Sequence, residues 1–115
     1  MTGPAETGAM FESLALHYLQ QQGLSLVMRN FSCRYGEIDL ICRSAAHWVF
    51  VEVKYRQHSS FGGAAAAVTV QKQQKLARTA SYFLQQQRSQ APCRFDVVAI
   101  SGEAPYRIEW IQNAF

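Results

Sequence analysis

The sequence predicts an α/β fold in which a mixed central sheet is flanked by helices, in the order helix, three strands, helix, then one or two strands. Three observations carry this prediction. Apolar residues recur at helical spacing near the N-terminus, two β-rich runs stand on either side of a short turn, and a second amphipathic stretch precedes another buried strand.

In the first element Phe11, Leu14, Ala15, Tyr18 and Leu19 follow the i, i+3, i+4, i+7, i+8 pattern, and Gly23 stands where a C-terminal glycine belongs, which predicts a helix over about 8–22. Residues 24–31 are β-rich and partly alternating, and Cys33-Arg34-Tyr35-Gly36 offers a turn. The runs 37–43 and 48–54 are rich in β-branched and aromatic residues, and Ser44-Ala45-Ala46-His47 between them makes a hairpin with a four-residue loop. The low-complexity stretch 62–67 reads as a loop entering a helix. Thr69 is the expected N-cap of that second helix, with Gln73, Leu76, Ala77, Ala80, Phe83 and Leu84 as its buried stripe and an end before Pro92. Residues 94–100 form a buried strand, 101–105 are turn material, and 106–111 alternate enough for a final strand. The second helix then serves as the crossover between strands.

The 115 residues, 49% of them hydrophobic, make one domain over 1–115. The longest apolar runs, such as 48–51, fall far below the roughly 18 residues that span a bilayer, so no membrane partner is expected. Residues 1–10 lack the basic and apolar regions of a secretory signal, which places the expected location in the cytoplasm. Cys33, Cys42 and Cys93 are scattered, without the spacing of a disulfide framework or a zinc site. The net charge of +3 says little alone, but Glu12, Glu37, Asp39 and Glu52 are half of the eight acids and are argued below to cluster. What remains is a mainly positive surface around an acidic centre, suited to a polyanion.

If the hairpin pairs Arg43 with Trp48, the same register sets Asp39 opposite Glu52, with Lys54 two residues on along the same face. Parity adds Glu37, Ile41, Trp48 and Phe50 to that face and gives Ile38, Leu40, Val49, Val51 and Val53 to the other. Two carboxylates converging at the end of apolar strands suit Mg²⁺ (or Mn²⁺), a hard ion that takes oxygen ligands and keeps waters for phosphate oxygens. Lys54 could then orient an attacking water or offset charge on phosphorus. His17, His47 and His58 lack the company that acyl or carbon chemistry would need, so phosphodiester hydrolysis fits best. The competing account is a cross-strand ion cluster with no chemistry; the apolar flanks of both acids weigh against a solvated face.

These residues resemble a known motif. Gly36-Glu37-Ile38-Asp39-Leu40-Ile41, followed by Val49-Phe50-Val51-Glu52-Val53-Lys54-Tyr55-Arg56, is similar to the PD-(D/E)xK motif of restriction-endonuclease-like nucleases. The whole chain resembles the YraN family of small bacterial proteins in that superfamily, related to archaeal Holliday-junction resolvases. Gly8, Glu12, Ala15, Tyr18-Leu19, Gly23, Asn30, Phe61-Gly62, Ala67-Val68, Lys72, Ala80, Arg94-Phe95-Asp96-Val97 and Asn113-Ala114-Phe115 carry the match. The resemblance implies a restriction-endonuclease-like αβββαβ core, Asp39 and Glu52 as metal ligands and Lys54 as the catalytic lysine, and related resolvases add a helix-one glutamate that Glu12 matches. It also implies DNA as the partner, with branched or recombination intermediates as substrates, while RNA stays open because no motif reports on the 2′-OH. Related resolvases work as dimers, which admits a homodimer without locating its interface.

Other candidates are Gln71 and Lys72 in the first turn of helix two, where backbone N–H groups can hold a phosphate. Arg56, with Arg29, Arg34 and Tyr35, could line the nucleic-acid path. Asp96 is expected to make a structural hydrogen bond, Glu37 to join the metal shell or fix the turn, and Trp48, Phe50 and Tyr82 to be core. Two function classes follow: a metal-dependent DNA endonuclease, or a nucleic-acid-binding module that keeps the fold with little hydrolytic activity. A scaffold with a structural ion cluster is the third.

Overall fold

The structure, a computed structural model, describes residues 4–57 and 68–115. Helix α1 spans Pro4–Gln21, strands β1, β2 and β3 span Ser25–Cys33, Gly36–Arg43 and Trp48–Arg56, helix α2 spans Val70–Gln86, and strands β4 and β5 span Cys93–Ser101 and Arg107–Ile111. The predicted loop over 62–67, together with Phe61 and His58, lies outside the described residues.

The strands form one sheet in the order β1-β2-β3-β4-β5. Neighbours are antiparallel except β3 and β4, which run parallel with α2 between them in sequence. A parallel neighbour cannot be reached through a tight turn, so a crossover connection is required, and α2 lies in it. Strand β3 is buried along most of its length, as its near-continuous apolar run requires of a strand covered on both faces.

Each face of the sheet carries its own core and its own helix. On one side Phe11, Ala15 and Leu19 of α1 pack with Leu40, Cys42, Val49, Val51, Val98 and Ile100. On the other, Leu76, Ala80 and Phe83 of α2 pack with Ile38, Ile41, Trp48, Phe50 and Val97. Fully burying each large apolar side chain contributes about 1.5–3 kcal/mol, so the two layers together hold the sheet between the helices. Thr69 caps α2 as predicted, its hydroxyl accepting the Lys72 N–H at 3.1 Å.

Four sequence expectations are corrected. Helix α1 starts at Pro4 rather than near residue 8. In α2 the buried stripe is Leu76, Thr79, Ala80 and Phe83, while Ala77 is exposed. Thr79 tolerates burial because its hydroxyl donates to the Lys75 carbonyl at 2.8 Å, leaving no polar group unsatisfied. Tyr82 is half-buried, so it flanks the core rather than filling it. Ile38 lies on the α2 face with Ile41 and Phe50, opposite to the face that simple alternation assigned it. The alternation breaks at Asp39: across from it, between the pairs Arg29↔Leu40 and Phe31↔Ile38, Asn30 adopts a positive φ of 54°.

Candidate active site

The hairpin register is the predicted one, from Arg43↔Trp48 to Leu40↔Val51, but the ladder stops there, one pair short of Asp39 and Glu52. Beyond that point β2 and β3 separate. Their separation leaves the Val53 N–H without a strand partner, and the Asp39 carboxylate supplies one, accepting it through Oδ2 at 2.8 Å. Asp39 therefore sits in the notch between two diverging strands, not on a flat face, which opens it to charges from both helical layers.

Glu52 continues the face of Phe50 toward α2 and is only 7% exposed. Its Oε1 takes the Lys72 ammonium at 2.6 Å and the Lys54 ammonium at 3.4 Å. Lys72 reaches it because the Thr69 cap places the first turn of α2 over the end of β3. An open depression of about 220 Å³ is lined by Gly36, Glu37, Asp39, Glu52, Lys72, Lys75 and Leu76. Gly36, with φ 151°, admits α2 at close range: a Cβ there would stand 3.1 Å from Thr79 Oγ1.

The electrostatics of the notch are unbalanced. Burial, and after it the charge of Glu52, pushes the Asp39 carboxyl from 3.8 up to about 6; Glu12 adds to the push, while the Val53 N–H and Lys72 oppose it. Burial lowers the Lys54 ammonium, and its contact with Lys72 adds to that, more than Glu52 restores. Lys72 moves the other way: burial works against it, but its hydrogen bond to Glu52 prevails.

Glu12 approaches from α1. It faces Arg29 at 3.6 Å, too far for a hydrogen bond, and its buried Oε1 has no hydrogen-bond partner among the described residues. It does not line the depression, though its charge is felt by Asp39. Among the described residues no three acid, histidine or cysteine side chains form a closed metal-binding group. What is present is an open set: the carboxylates of Glu37, Asp39 and Glu52 line one depression, Asp39 with a raised proton affinity, and Glu12 stands outside it with a buried oxygen that accepts no hydrogen bond among the described residues. That donor chemistry fits a hard cation that retains several waters, such as Mg²⁺ or Mn²⁺, rather than a fully caged ion.

The other predicted residues divide. Gln71 is exposed beside Lys72 on the first turn of α2, and Arg56 is exposed at the end of β3. Arg34 donates to the Tyr35 hydroxyl at 2.6 Å on the β1–β2 turn, beside the notch but outside it. Arg29 is engaged with α1, donating to the Ala9 carbonyl at 3.3 Å. Asp96 is structural as expected: fully buried, it accepts from Arg94 Nε at 3.1 Å, Trp110 Nε1 at 2.9 Å and Asn113 N at 2.9 Å. Sequence reasoning missed Gly36 and Lys75 as lining residues. Lys75 was detectable from its i+3 spacing to Lys72; Gly36 was not, since its role depends on where α2 lands.

No helix among the described residues is long and apolar enough to cross a membrane. The model of the uncharacterised protein family UPF0102 matches residues 11–100, which include every acid of the notch. A UPF0102 protein of Methylobacillus flagellatus is 53% identical over 104 residues, covering 90% of this chain and 91% of its own. One from Nitrosomonas europaea is 49% identical over 115 residues, covering 100% and 98%. One from Legionella pneumophila is 46% identical over 112 residues, covering 96% and 94%. The chain therefore belongs to the uncharacterised bacterial family UPF0102, the YraN-like family that its motifs resemble.

Proposed function

We propose that this protein is a divalent-metal-dependent endonuclease of the PD-(D/E)xK kind, acting in the cytoplasm on DNA and on branched or recombination intermediates in particular. The observation that carries the reading is the convergence of Asp39 and Glu52 on one depression with Lys54 and Lys72 at Glu52. A pure binder of nucleic acid has no use for paired acids facing a phosphate backbone that they repel.

Asp39 and Glu52 would hold Mg²⁺ or Mn²⁺, with Glu12 as the third carboxylate. Such an ion, when bound, polarises a phosphoryl oxygen and lowers the pKa of an attacking water. The chain's own residues do the rest. Lys54, with its ammonium held beside Glu52 and its proton affinity lowered, is placed to orient a water and to donate toward charge developing on the phosphoryl group. Lys72 and the exposed Gln71, at the N-terminal turn of α2, are placed to bind a phosphate oxygen, and Arg56 and Arg34 extend the positive surface on either side. Asp39 keeps its orientation through the Val53 N–H.

A second reading rests on a specific observation: Glu52 is already neutralised by two lysines, as it would be in a nucleic-acid-binding module that has kept the fold and lost hydrolysis. One experiment separates the two. Labelled linear, single-stranded, flap and four-way-junction DNAs are incubated with Mg²⁺ or Mn²⁺ and either wild type or Glu52→Gln. Metal-dependent cutting lost in the variant supports the nuclease; binding without cutting by wild type supports the module. An RNA duplex in the same panel tests the choice of DNA, and the oligomeric state of the active species tests for a homodimer.

A further inference from the structure

Next to the notch, on the outer side of α2, lies a larger depression of about 450 Å³, lined by Arg34 and Tyr35 of the β1–β2 turn and by Arg78, Tyr82 and Gln85 of α2, with Ala77 and Ser81. It shares Ser81 and Gln85 with a further depression of about 390 Å³ whose lining includes Arg88. It is also continuous in sequence with the candidate active site: Tyr35 precedes Gly36, and Arg78 stands one helical turn after Lys75. From Lys75 to Gln85 the stripe runs about 15 Å along the helix. That is the length of about four stacked nucleotides.

The charge of this groove is one-sided. Helix α2 contains Lys72, Lys75 and Arg78 and no acid, and from 53 to 95 the sequence has no aspartate or glutamate at all. Among the described residues Arg34, Arg78 and Arg88 have no acidic partner; the Arg34 guanidinium instead lies over the Tyr35 ring, 4.8 Å from its centroid, and donates to the Tyr35 hydroxyl, so that a bound phosphate would draw it off the ring and free that face. Tyr35 and Tyr82 stand with ring centroids 6.0 Å apart and planes at 60°, neither fully buried. Aromatic faces at a groove wall can stack only on bases that are themselves unstacked; in a duplex both faces of each base are already covered.

We propose that this groove is a second nucleic-acid subsite that receives an unpaired strand leaving the candidate active site, its phosphates on Arg34 and Arg78 and a splayed base against Tyr35 and Tyr82. The inference rests on the nucleic-acid reading above and narrows it: the preferred substrate carries a single-stranded arm. The site therefore discriminates by strand structure and not by base sequence, since stacking is tolerant of base identity.

The test is binding anisotropy in EDTA, so that it reads affinity apart from cutting, with a blunt DNA duplex, the same duplex bearing a single-stranded arm, and that arm made abasic. Wild type should favour the armed duplex over the blunt one, and removing the bases should abolish much of that preference. Tyr35→Ala should weaken the armed duplex by about fivefold or more and leave the blunt duplex unchanged, whereas Tyr35→Phe should retain affinity. Arg78→Ala, on an exposed helical position, keeps the test available should Tyr35→Ala misfold; it should weaken the armed duplex and flatten its salt dependence. Equal affinity of wild type for armed and blunt DNA, or an equal loss on both in the variants, would overturn the proposal. The same DNAs are then incubated with Mg²⁺ or Mn²⁺: metal-dependent cutting together with no arm preference in binding would refute the subsite alone, and an arm preference in binding with no cutting in metal would refute the nuclease alone.

Discussion

Replacing Asp39 with asparagine should stabilise the metal-free protein near pH 8 and change it little near pH 4. The wild-type carboxyl is raised from 3.8 to about 6 by burial and by the charge of Glu52. For a group raised on folding, the stabilising contribution of the protonated form is fully present below the unfolded value and is lost as pH rises through the folded one. The full difference corresponds to roughly 3 kcal/mol of preference for the neutral form. Asp39 retains some contact with solvent, which trims the usable amount to roughly 2 kcal/mol. Asparagine keeps an oxygen able to accept the Val53 N–H, so the variant removes the charge and spares the strand contact. Chemical denaturation of both proteins in chelator at the two pH values measures the effect as a difference that grows by roughly 2 kcal/mol between about pH 4 and about pH 8. Adding Mn²⁺ should reverse the ranking, because an ion that binds only the native state stabilises the wild type by linkage. A pH-independent difference, or a variant destabilised near pH 8, would refute the account of Asp39 as an uncompensated carboxylate.

Lys72→Met should raise the affinity for Mn²⁺, read by calorimetry, because the tethered ammonium now at 2.6 Å from Glu52 competes with any cation for that oxygen; unchanged or weaker binding would show that Lys72 does not occupy the ion's place. Asp96→Ala strands donors from Arg94, Trp110 and Asn113 in a fully buried position and should cost about 3–5 kcal/mol, seen as a lowered denaturation midpoint. Gly36→Ala should cost about 1–3 kcal/mol in the same assay, since its φ of 151° disfavours any Cβ and the added atom would crowd Thr79; a neutral result would mean that α2 does not approach the β1–β2 turn this closely.

Much of the fold was legible because its signals are local. The hairpin turn 44–47 follows from two apolar runs that cannot both be interrupted elsewhere, and its register followed from the turn alone. The Thr69 cap and the α2 stripe depend on residues within a few positions of each other, and so does the structural expectation for Asp96, an acid flanked by apolar neighbours. Where the local rule failed, a distant partner had intervened. Ile38 changed face because the chain kinks opposite Asn30, and Thr79 displaced Ala77 because Gly36 brings the β1–β2 turn against α2.

The candidate site divides in the same way. By itself the sequence determined that Asp39, Glu52 and Lys54 share one end of the hairpin, because β periodicity and a four-residue turn leave them no other arrangement. Only the tertiary structure decided that β2 and β3 part before reaching Asp39, that its carboxylate then takes the Val53 N–H, and that α2 delivers Lys72 to Glu52. The physical reason is range: hydrophobic periodicity and turn chemistry act over a few residues and are written in the chain. The desolvation of Asp39 and the field of Glu52, Glu12 and Lys72 around it exist only once two helices and a splayed sheet have closed on the same notch.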